Sequence, residues 1–223
     1  MDIKIVYFDT PFWRAEVARL ALFVGGIDFK DIRIDGEEFK TIKSTGTMTD
    51  GTKIPFKQLP ALCVDGNSIC QTGAIARFCG KISNLYPDDI LECAQIDQII
   101  DLLTDMNVLI RPAMIEKDSL KKSNMRKELS ETLLPNKIQL LEELISDKDD
   151  KEFCVGNKIS IADLGVWRVM GWLSTGIIDG ISSDILKPFP YVTGVCQHIA
   201  DNPKVIEWVS LTYPSSYSWL RAE

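Results

Sequence analysis

The first third of the chain alternates between strand-like and helix-like hydrophobic patterns, which predicts an α/β domain. Residues 3–8 are apolar and rich in β-branched and aromatic side chains, and they predict a strand. Asp9-Thr10-Pro11 interrupts that run, and a strongly apolar helical pattern follows it and ends at Gly25-Gly26. Residues 29–34 predict a second strand. The chain therefore opens with the order strand, helix, strand.

A hairpin and another helix complete this domain. A short apolar run, residues 61–64, and a second short strand, residues 67–70, flank Asp65-Gly66, a dipeptide that favours a tight hairpin turn. This order of elements is that of a thioredoxin-like α/β fold. The turn after the first strand contains no cysteine, so thiol–disulfide exchange through a pair of cysteines is unsupported.

The hairpin and the start of the following helix together predict a ligand site. Thr72 is the predicted N-cap of that helix, and Gly80-Lys81 is its predicted end. Free N–H groups and the helix dipole attract anions at such a helix start. Pro60 cannot continue a sheet ladder, and if the bond before it is cis, Leu59 presents its backbone to an extended peptide. An ordinary hairpin packed on a helix, with no ligand, fits the same residues.

The rest of the chain is patterned almost entirely as helices, which predicts an all-α second domain. Residues 83–90 include Pro87 and predict a linker, so the predicted division is 1–82, 83–90 and 91–223. Ser160 and Asp163 have the spacing of a capping box and predict the start of a buried helix.

Composition excludes several classes of function. The net charge of −7 argues against nucleic acid and anionic membranes as partners. No apolar run approaches ~20 residues, and residues 1–6 lack the basic start of a signal peptide, so a cytoplasmic protein is expected. His198 is the one histidine, which rules out a multi-histidine metal site, and no metal is expected. The six cysteines form no C-x-x-C pair and are predicted to be small core residues.

Three segments carry a resemblance to a known family. Gln58-Leu59-Pro60, Val64-Asp65-Gly66 and residues 71–78 (Gln-Thr-Gly-Ala-Ile-Ala-Arg-Phe) are similar to the glutathione-binding half of the soluble glutathione transferases. The similarity is closest to the sigma class, which includes glutathione-dependent prostaglandin D synthases, and it covers nearly the whole chain. It implies a cytoplasmic homodimeric detoxification enzyme of the glutathione transferase fold, which conjugates the glutathione thiolate to small hydrophobic electrophiles.

The resemblance also implies how the sulfur is activated. Tyr7-Phe8 followed by Arg14-Ala15-Glu16 is similar to the sigma-class opening, where the tyrosine hydroxyl donates a hydrogen bond to the glutathione sulfur. Such a donor, helped by a cation, lowers a thiol pKa that is ordinarily about 8.5. One extra residue separates Tyr7 from Arg14, and Thr10 also resembles the hydroxyl residue of transferases that use a serine. Thr10 is therefore a rival donor, and a tyrosine that merely caps a core strand is the non-catalytic alternative.

The resemblance assigns a set of glutathione-binding residues: Phe39, Lys43, Gln58, Leu59, Pro60, Gln71, Thr72 and, contributed by the partner subunit, Asp105. Phe39 stands where the family has a tryptophan, so the indole N–H is lost and Lys43 is left to hold the glycyl carboxylate. Lys43 fits a solvated loop lysine equally well. Residues 44–57 look like an insertion and predict a mobile flap beside the site.

Three alternatives stay open. Asp97, Asp101 and Asp105 form a stripe at i+4 spacing, which is usually a solvated face but also suits a divalent ion shared across a two-fold axis. A non-catalytic structural or stress-related relative fits the altered segments. A glutathione-dependent isomerase of the prostaglandin D synthase type is the third reading, and Pro112, where that enzyme's tryptophan is expected, argues against it.

The aromatic tail, residues 213–223, is expected near the electrophile pocket or a neighbouring chain.

Overall fold

The computed structural model describes residues 1–149 and 151–214, and the chain divides into two compact units, Met1–Pro87 and Asp88–Glu223. The boundary falls inside the segment predicted as a linker. The first part of that segment packs within the first unit, because Ser83 and Leu85 are only 5% and 7% exposed. A Cβ at Gly25 would lie 2.5 Å from Ser83 Cβ, so this close approach requires glycine.

The elements of the first unit are β1 (Ile3–Phe8), α1 (Trp13–Val24), β2 (Lys30–Ile34), α2 (Gly36–Thr45), a 3₁₀ turn (Pro55–Lys57), β3 (Ala61–Val64), β4 (Asn67–Cys70) and α3 (Thr72–Ile82). The strands form a four-stranded mixed sheet of order β2-β1-β3-β4, in which β1 pairs with β2 in parallel and with β3 antiparallel. The predicted strands, the hairpin turn and the first helix are confirmed, and so is the order of elements.

Side chains of β1 point alternately to two faces of the sheet. Val6 belongs to an apolar cluster with Ile34, Ile42 and Ala61, and Phe8 packs against that cluster. Tyr7 therefore points to the opposite face. This alternation places the candidate catalytic tyrosine away from α2 residue Ile42 and its neighbours.

Residues 44–57, predicted as a mobile flap beside the site, are linked internally by hydrogen bonds and pack against the apolar cluster on the sheet. Thr47 pairs with Lys53 in an isolated bridge, and the Ile54 N–H donates to the Gly46 carbonyl at 2.8 Å. Met48 and Ile54 are 9% and 3% exposed. These two apolar side chains therefore attach the segment to the core, although most of its residues are polar. The overall polarity of the segment gave no indication of this packing.

All regular secondary structure in the described part of the second unit is helical, as predicted. Its helices are α4 (Ile90–Ile115), α5 (Ser119–Glu128), a π turn (Leu129–Leu133), α6 (Leu134–Ser146), α7 (Ile161–Ser174), α8 (Pro190–Ala200) and α9 (Pro203–Thr212). In residues 1–149 and 151–214, no helix combines the length and hydropathy needed to cross a membrane. Tyr213 is buried, whereas Tyr217 and Trp219 of the predicted aromatic tail lie outside the described residues.

The predicted capping box at the start of α7 is confirmed. The Ser160 hydroxyl accepts from the Ala162 N–H at 3.2 Å, and one oxygen of Asp163 accepts from the Ser160 N–H at 2.7 Å. The other oxygen of Asp163 accepts from the Cys154 N–H at 2.6 Å. Asp163 is fully buried, so these hydrogen bonds compensate the loss of water around its carboxylate.

Candidate functional site

Tyr7 lies at the end of β1 with 7% of its surface exposed. Burial raises the pKa of its phenol from 10.0 to about 12, and the positive charges of Arg14 and Arg19 oppose that rise. The hydroxyl therefore keeps its proton at physiological pH. A protonated phenol beside two guanidinium groups is suited to donate a hydrogen bond to an anion.

Thr10 lies in the turn between β1 and α1, where its N–H donates to the Phe8 carbonyl at 2.8 Å. Helix α1 begins at Trp13, and Phe12 is its N-cap, without a side-chain hydrogen bond. Thr10 is therefore two residues upstream of the N-cap.

Arg14 connects the start of α1 to the start of α3. Its Nη1 donates to the Thr72 hydroxyl at 3.5 Å, and its guanidinium lies 5.3 Å from the centroid of the Trp13 ring. The structure thus brings Thr72 to Tyr7 and Arg14, from which it is more than 50 positions distant in sequence, within the first unit.

Gln71, not Thr72, is the N-cap of α3, so the predicted N-cap was wrong by one residue. The Thr72 hydroxyl is buried and accepts from Arg14 instead of capping the helix. Gln71 has φ 78 and ψ 122, a backbone conformation that non-glycine residues rarely adopt. Strained backbone of this kind concentrates at ligand-binding positions. Helix α3 also continues to Ile82, beyond the predicted Gly80-Lys81 end.

The segment before β3 combines a cis peptide bond with backbone groups that make no hydrogen bond in the described residues. The Leu59–Pro60 peptide bond is cis. Within residues 1–149 and 151–214, the Leu59 N–H and C=O make no hydrogen bond, whereas the Gln58 carbonyl accepts from the Cys70 thiol at 3.4 Å. Gln58 is exposed, Leu59 is half-buried and Pro60 is buried. The Leu59 N–H and C=O are therefore the backbone groups of this segment that could pair with an extended peptide.

Phe39 and Lys43 lie four residues apart on α2, so Lys43 is a helical residue rather than a loop lysine. The Lys43 Nζ is 5.5 Å from the centroid of the Phe39 ring, and that ring packs edge-to-face on Phe8 at 5.0 Å. Phe39 therefore supports the lysine from a half-buried position. The exposed ammonium group of Lys43 is placed to meet a carboxylate.

Asp105 lies on α4 in the second unit, where its side chain is 66% exposed and forms an ion pair with Lys137 at 3.5 Å. This pair lies within one chain. In the described residues no group of three or more His, Cys, Asp or Glu side chains is arranged to hold a metal ion, and the aspartate stripe is not such a group.

Sequence reasoning missed Arg19, a buried charged residue near the candidate site. It is 0% exposed, and its guanidinium binds Asp31 at 2.9 Å and Glu16 at 3.2 Å. The signal was present in the sequence, because Glu16 and Arg19 are opposite charges at i, i+3 spacing inside a strongly apolar helix.

A groove of about 660 Å³ lies at the other end of the sheet, away from Tyr7. Its lining includes Lys4, Cys63 and Ser68 together with residues 50–53 of the inserted segment. None of the residues predicted to bind glutathione contributes to it, so this groove is separate from the candidate site.

Two family models match the chain. The N-terminal domain of glutathione S-transferases matches residues 3–80, and their C-terminal domain matches residues 104–211. The chain is 29% identical over 211 residues to glutathione S-transferase 1 of Ascaris suum, covering 93% of this chain and 95% of that protein. It is 30% identical over 208 residues to hematopoietic prostaglandin D synthase of Mus musculus, with the same two shares covered.

A solved structure gives the same fold. The crystal structure of a glutathione S-transferase from the hookworm Necator americanus, described as monomeric, superposes with a TM-score of 0.77 at 25% identity, covering 96% of this chain and 98% of that one. The predicted fold class, a thioredoxin-like α/β domain followed by an all-helical domain, is confirmed.

Proposed function

The chain belongs to the glutathione S-transferase family, and we propose that it conjugates the glutathione thiolate to small hydrophobic electrophiles. The observation that carries this proposal is the meeting of Tyr7, Arg14 and the start of α3 within one unit. There the protonated hydroxyl of the buried Tyr7 lies within the field of a guanidinium that also contacts the helix start. These are the parts that a thiolate needs next to a bound tripeptide.

The proposed chemistry follows from the acidity of thiols. Glutathione with a thiol pKa of about 8.5 is only a few per cent thiolate at neutral pH. A hydrogen bond from the Tyr7 hydroxyl to the sulfur, with Arg14 nearby, favours the charged form. Lowering the thiol pKa by two units requires about 2.7 kcal/mol of differential stabilisation, which one charged hydrogen bond and a local field supply. The thiolate then attacks the electrophile.

The peptide part of glutathione is held, in this proposal, along an edge of the first unit. The Leu59 backbone pairs with the ligand as a neighbouring strand would, next to Gln58 and the buried Pro60. Gln71 and Thr72 offer the amides at the start of α3 to a carboxylate. Lys43, supported by Phe39, meets the carboxylate at the glycyl end of the tripeptide.

We further propose a homodimer in which Asp105 serves the partner's site. Its carboxylate is largely exposed, and its ion pair with Lys137 at 3.5 Å is long enough to exchange readily for the ammonium of the γ-glutamyl group. The helical unit, residues 88–223, would carry the electrophile site. The identity of the electrophile depends on side chains of that unit.

A conjugation assay tests the proposal. Glutathione and 1-chloro-2,4-dinitrobenzene should give the thioether at a rate above the uncatalysed reaction, with saturation in glutathione. A protein that binds glutathione but forms no conjugate with any of several aryl halides would contradict the proposal and favour the non-catalytic alternative. Turnover of a prostaglandin endoperoxide without consumption of glutathione would instead identify the isomerase, whose candidacy rests on the mouse relative.

A further inference from the structure

Arg19 holds the turn that connects the candidate catalytic tyrosine to α1. Its Nη1 donates to the Thr10 carbonyl at 3.0 Å, and its Nη2 donates to the Phe8 carbonyl at 3.4 Å. These two carbonyls flank the point where the chain leaves β1. One planar guanidinium therefore contacts both ends of the turn, each through a different nitrogen held in a fixed geometry.

The same guanidinium lies against Tyr7. Its central carbon is 5.9 Å from the centroid of the tyrosine ring, within the range of a cation–π contact. Arg19 is fully buried, so water does not screen its charge as it would on the surface. Arg19 is thus placed to act on Tyr7 through the backbone and through its charge.

Arg19 is itself held firmly. Its Nε donates to Asp31 on β2 at 2.9 Å, and Asp31 also accepts from Arg33 Nε at 2.8 Å. Glu16 of α1 binds Nη1 from the same helix at 3.2 Å. Arg33 in turn donates through its Nη1 to the Asp9 carboxylate of the turn at 2.5 Å. A chain of ion pairs therefore joins β2, α1 and the turn around one buried arginine.

We propose that Arg19 is a positioning residue for sulfur activation, an inference that rests on the proposed conjugation activity. Its guanidinium fixes the backbone between Phe8 and Thr10, which aims the Tyr7 hydroxyl at the sulfur, and it places a fixed positive charge beneath the ring. Arg19 does not touch the ligand in this proposal. It acts through Tyr7.

Whether a variant raises or lowers the pKa of the bound thiol depends on the charged residues of the elements next to Tyr7. On α1 they are Arg14, Glu16 and Arg19, and on β2 they are Asp31 and Arg33. The turn adds Asp9, α3 carries Arg77 and Lys81, and residues 61–64 of β3 carry no charged side chain. Arg14 and Arg19 are the two cations that act on Tyr7. Weakening Arg19 should raise the pKa of the bound thiol, whereas removing the charge of Glu16 should lower it.

Arg19→Lys is the first variant, because it keeps the charge and loses the fork that holds two carbonyls. The thiol pKa of bound glutathione, followed by thiolate absorbance near 240 nm against pH, should rise by about 0.5–1 unit. The value of kcat/KM should fall about three- to tenfold at pH 6.5 and approach the parent value near pH 9, where glutathione ionises without help. The KM for glutathione should stay within about twofold.

Arg168→Lys is the matched control. Arg168 is also buried, at 1% exposed, and also lies over a tyrosine, with 5.6 Å to the Tyr213 ring, but it belongs to the second unit. It should leave the thiol titration unchanged even where it lowers stability. If Arg19→Lys lowers kcat/KM equally at pH 6.5 and pH 9 and leaves the thiol pKa unchanged, Arg19 is a structural residue only and the inference is wrong.

Glu16→Gln provides a second, independent test if Arg19→Lys fails to fold. The amide is isosteric and its oxygen can still accept from Arg19, so folding should be retained. The thiol pKa should fall by about 0.2–0.5 unit, because a negative charge beside Arg19 is removed. No change or a rise would overturn the role of the Arg19 charge. Absence of any thiolate band in the parent protein would be a different result, since it refutes the proposed activity itself.

Discussion

The guanidinium of Arg14 donates to the hydroxyl of Thr72 at 3.5 Å, across 58 positions of sequence. Arg14 is the second residue of α1 and Thr72 is the first residue of α3. The contact therefore joins the starts of two helices next to the end of β1. It explains why the Thr72 hydroxyl does not cap α3, and it places at that helix start a cation that also acts on Tyr7.

The first prediction separates the two candidate hydroxyl donors. Tyr7→Phe should lower kcat/KM for conjugation roughly ten- to a thousandfold, the range for removal of one charge-stabilising donor. The thiol pKa of bound glutathione should rise by about one to two units, while the affinity for glutathione stays within a few-fold. Thiolate absorbance against pH measures the shift.

Two variants control that experiment. Tyr191→Phe removes a phenolic hydroxyl at the start of α8, in the other unit, and should leave the titration unchanged. Thr10→Val should have a much smaller effect than Tyr7→Phe. If Thr10→Val shifts the titration and Tyr7→Phe does not, Thr10 activates the sulfur.

The second prediction concerns ligand binding. A ligand that binds only the folded state at a hundredfold excess over Kd stabilises it by about 2.7 kcal/mol. Millimolar glutathione should therefore raise the Tm by several degrees. Gln71→Ala should remove most of that rise, and Gln197→Ala, which alters an exposed glutamine of α8, should not. An unchanged Tm of the parent protein at saturating glutathione would refute the whole proposal.

The third prediction concerns assembly. The chain should be a dimer by light scattering at micromolar concentration, because an isologous interface lets each Asp105 serve the other site. Asp105→Asn should weaken glutathione binding several-fold without changing the thiol pKa, and Asp201→Asn on the exposed end of α8 should change neither. A monomer with full activity would exclude a partner role for Asp105.

The fourth prediction concerns the buried cap of α7. Asp163→Ala removes the acceptor for the Cys154 and Ser160 N–H groups and should lower the free energy of unfolding by about 2–4 kcal/mol. Asp118→Ala, at the exposed N-cap of α5, should cost about 1 kcal/mol. Urea unfolding measures both. Equal losses would mean that burial of Asp163 adds nothing to its capping role.

The fifth prediction concerns alkaline pH. Burial raises the pKa of the Cys79 thiol from 9.0 to about 12. Below pH 9 the folded and unfolded states both keep the proton; between pH 9 and 12 only the unfolded state ionises, so stability falls by about 1.4 kcal/mol per pH unit for this thiol. Cys79→Ala should reduce that slope. Ile75→Val, a buried change on the same helix, should lower stability and keep the slope.

Much of the architecture depends on interactions between residues close together in the chain and can therefore be predicted from the sequence. Strand β1, the Asp65-Gly66 turn and the Ser160–Asp163 capping box depend on residues a few positions apart, and the structure has each of them where predicted. The family resemblance rests on equally local segments and is confirmed by the matching family models.

Only the tertiary structure determines which residues far apart in sequence contact one another. Thr72 faces Arg14 instead of its own helix, Met48 and Ile54 bind a polar segment to the core, and Arg19 reaches Asp31 on a neighbouring strand. Each depends on which side chain occupies a given point in space, because a buried polar or apolar group takes whatever partner packing brings to it. Periodicity and spacing describe one element at a time, so they indicate Tyr7 on its strand and the Glu16–Arg19 pair on its helix, but not the turn carbonyls and the strand aspartate that Arg19 binds.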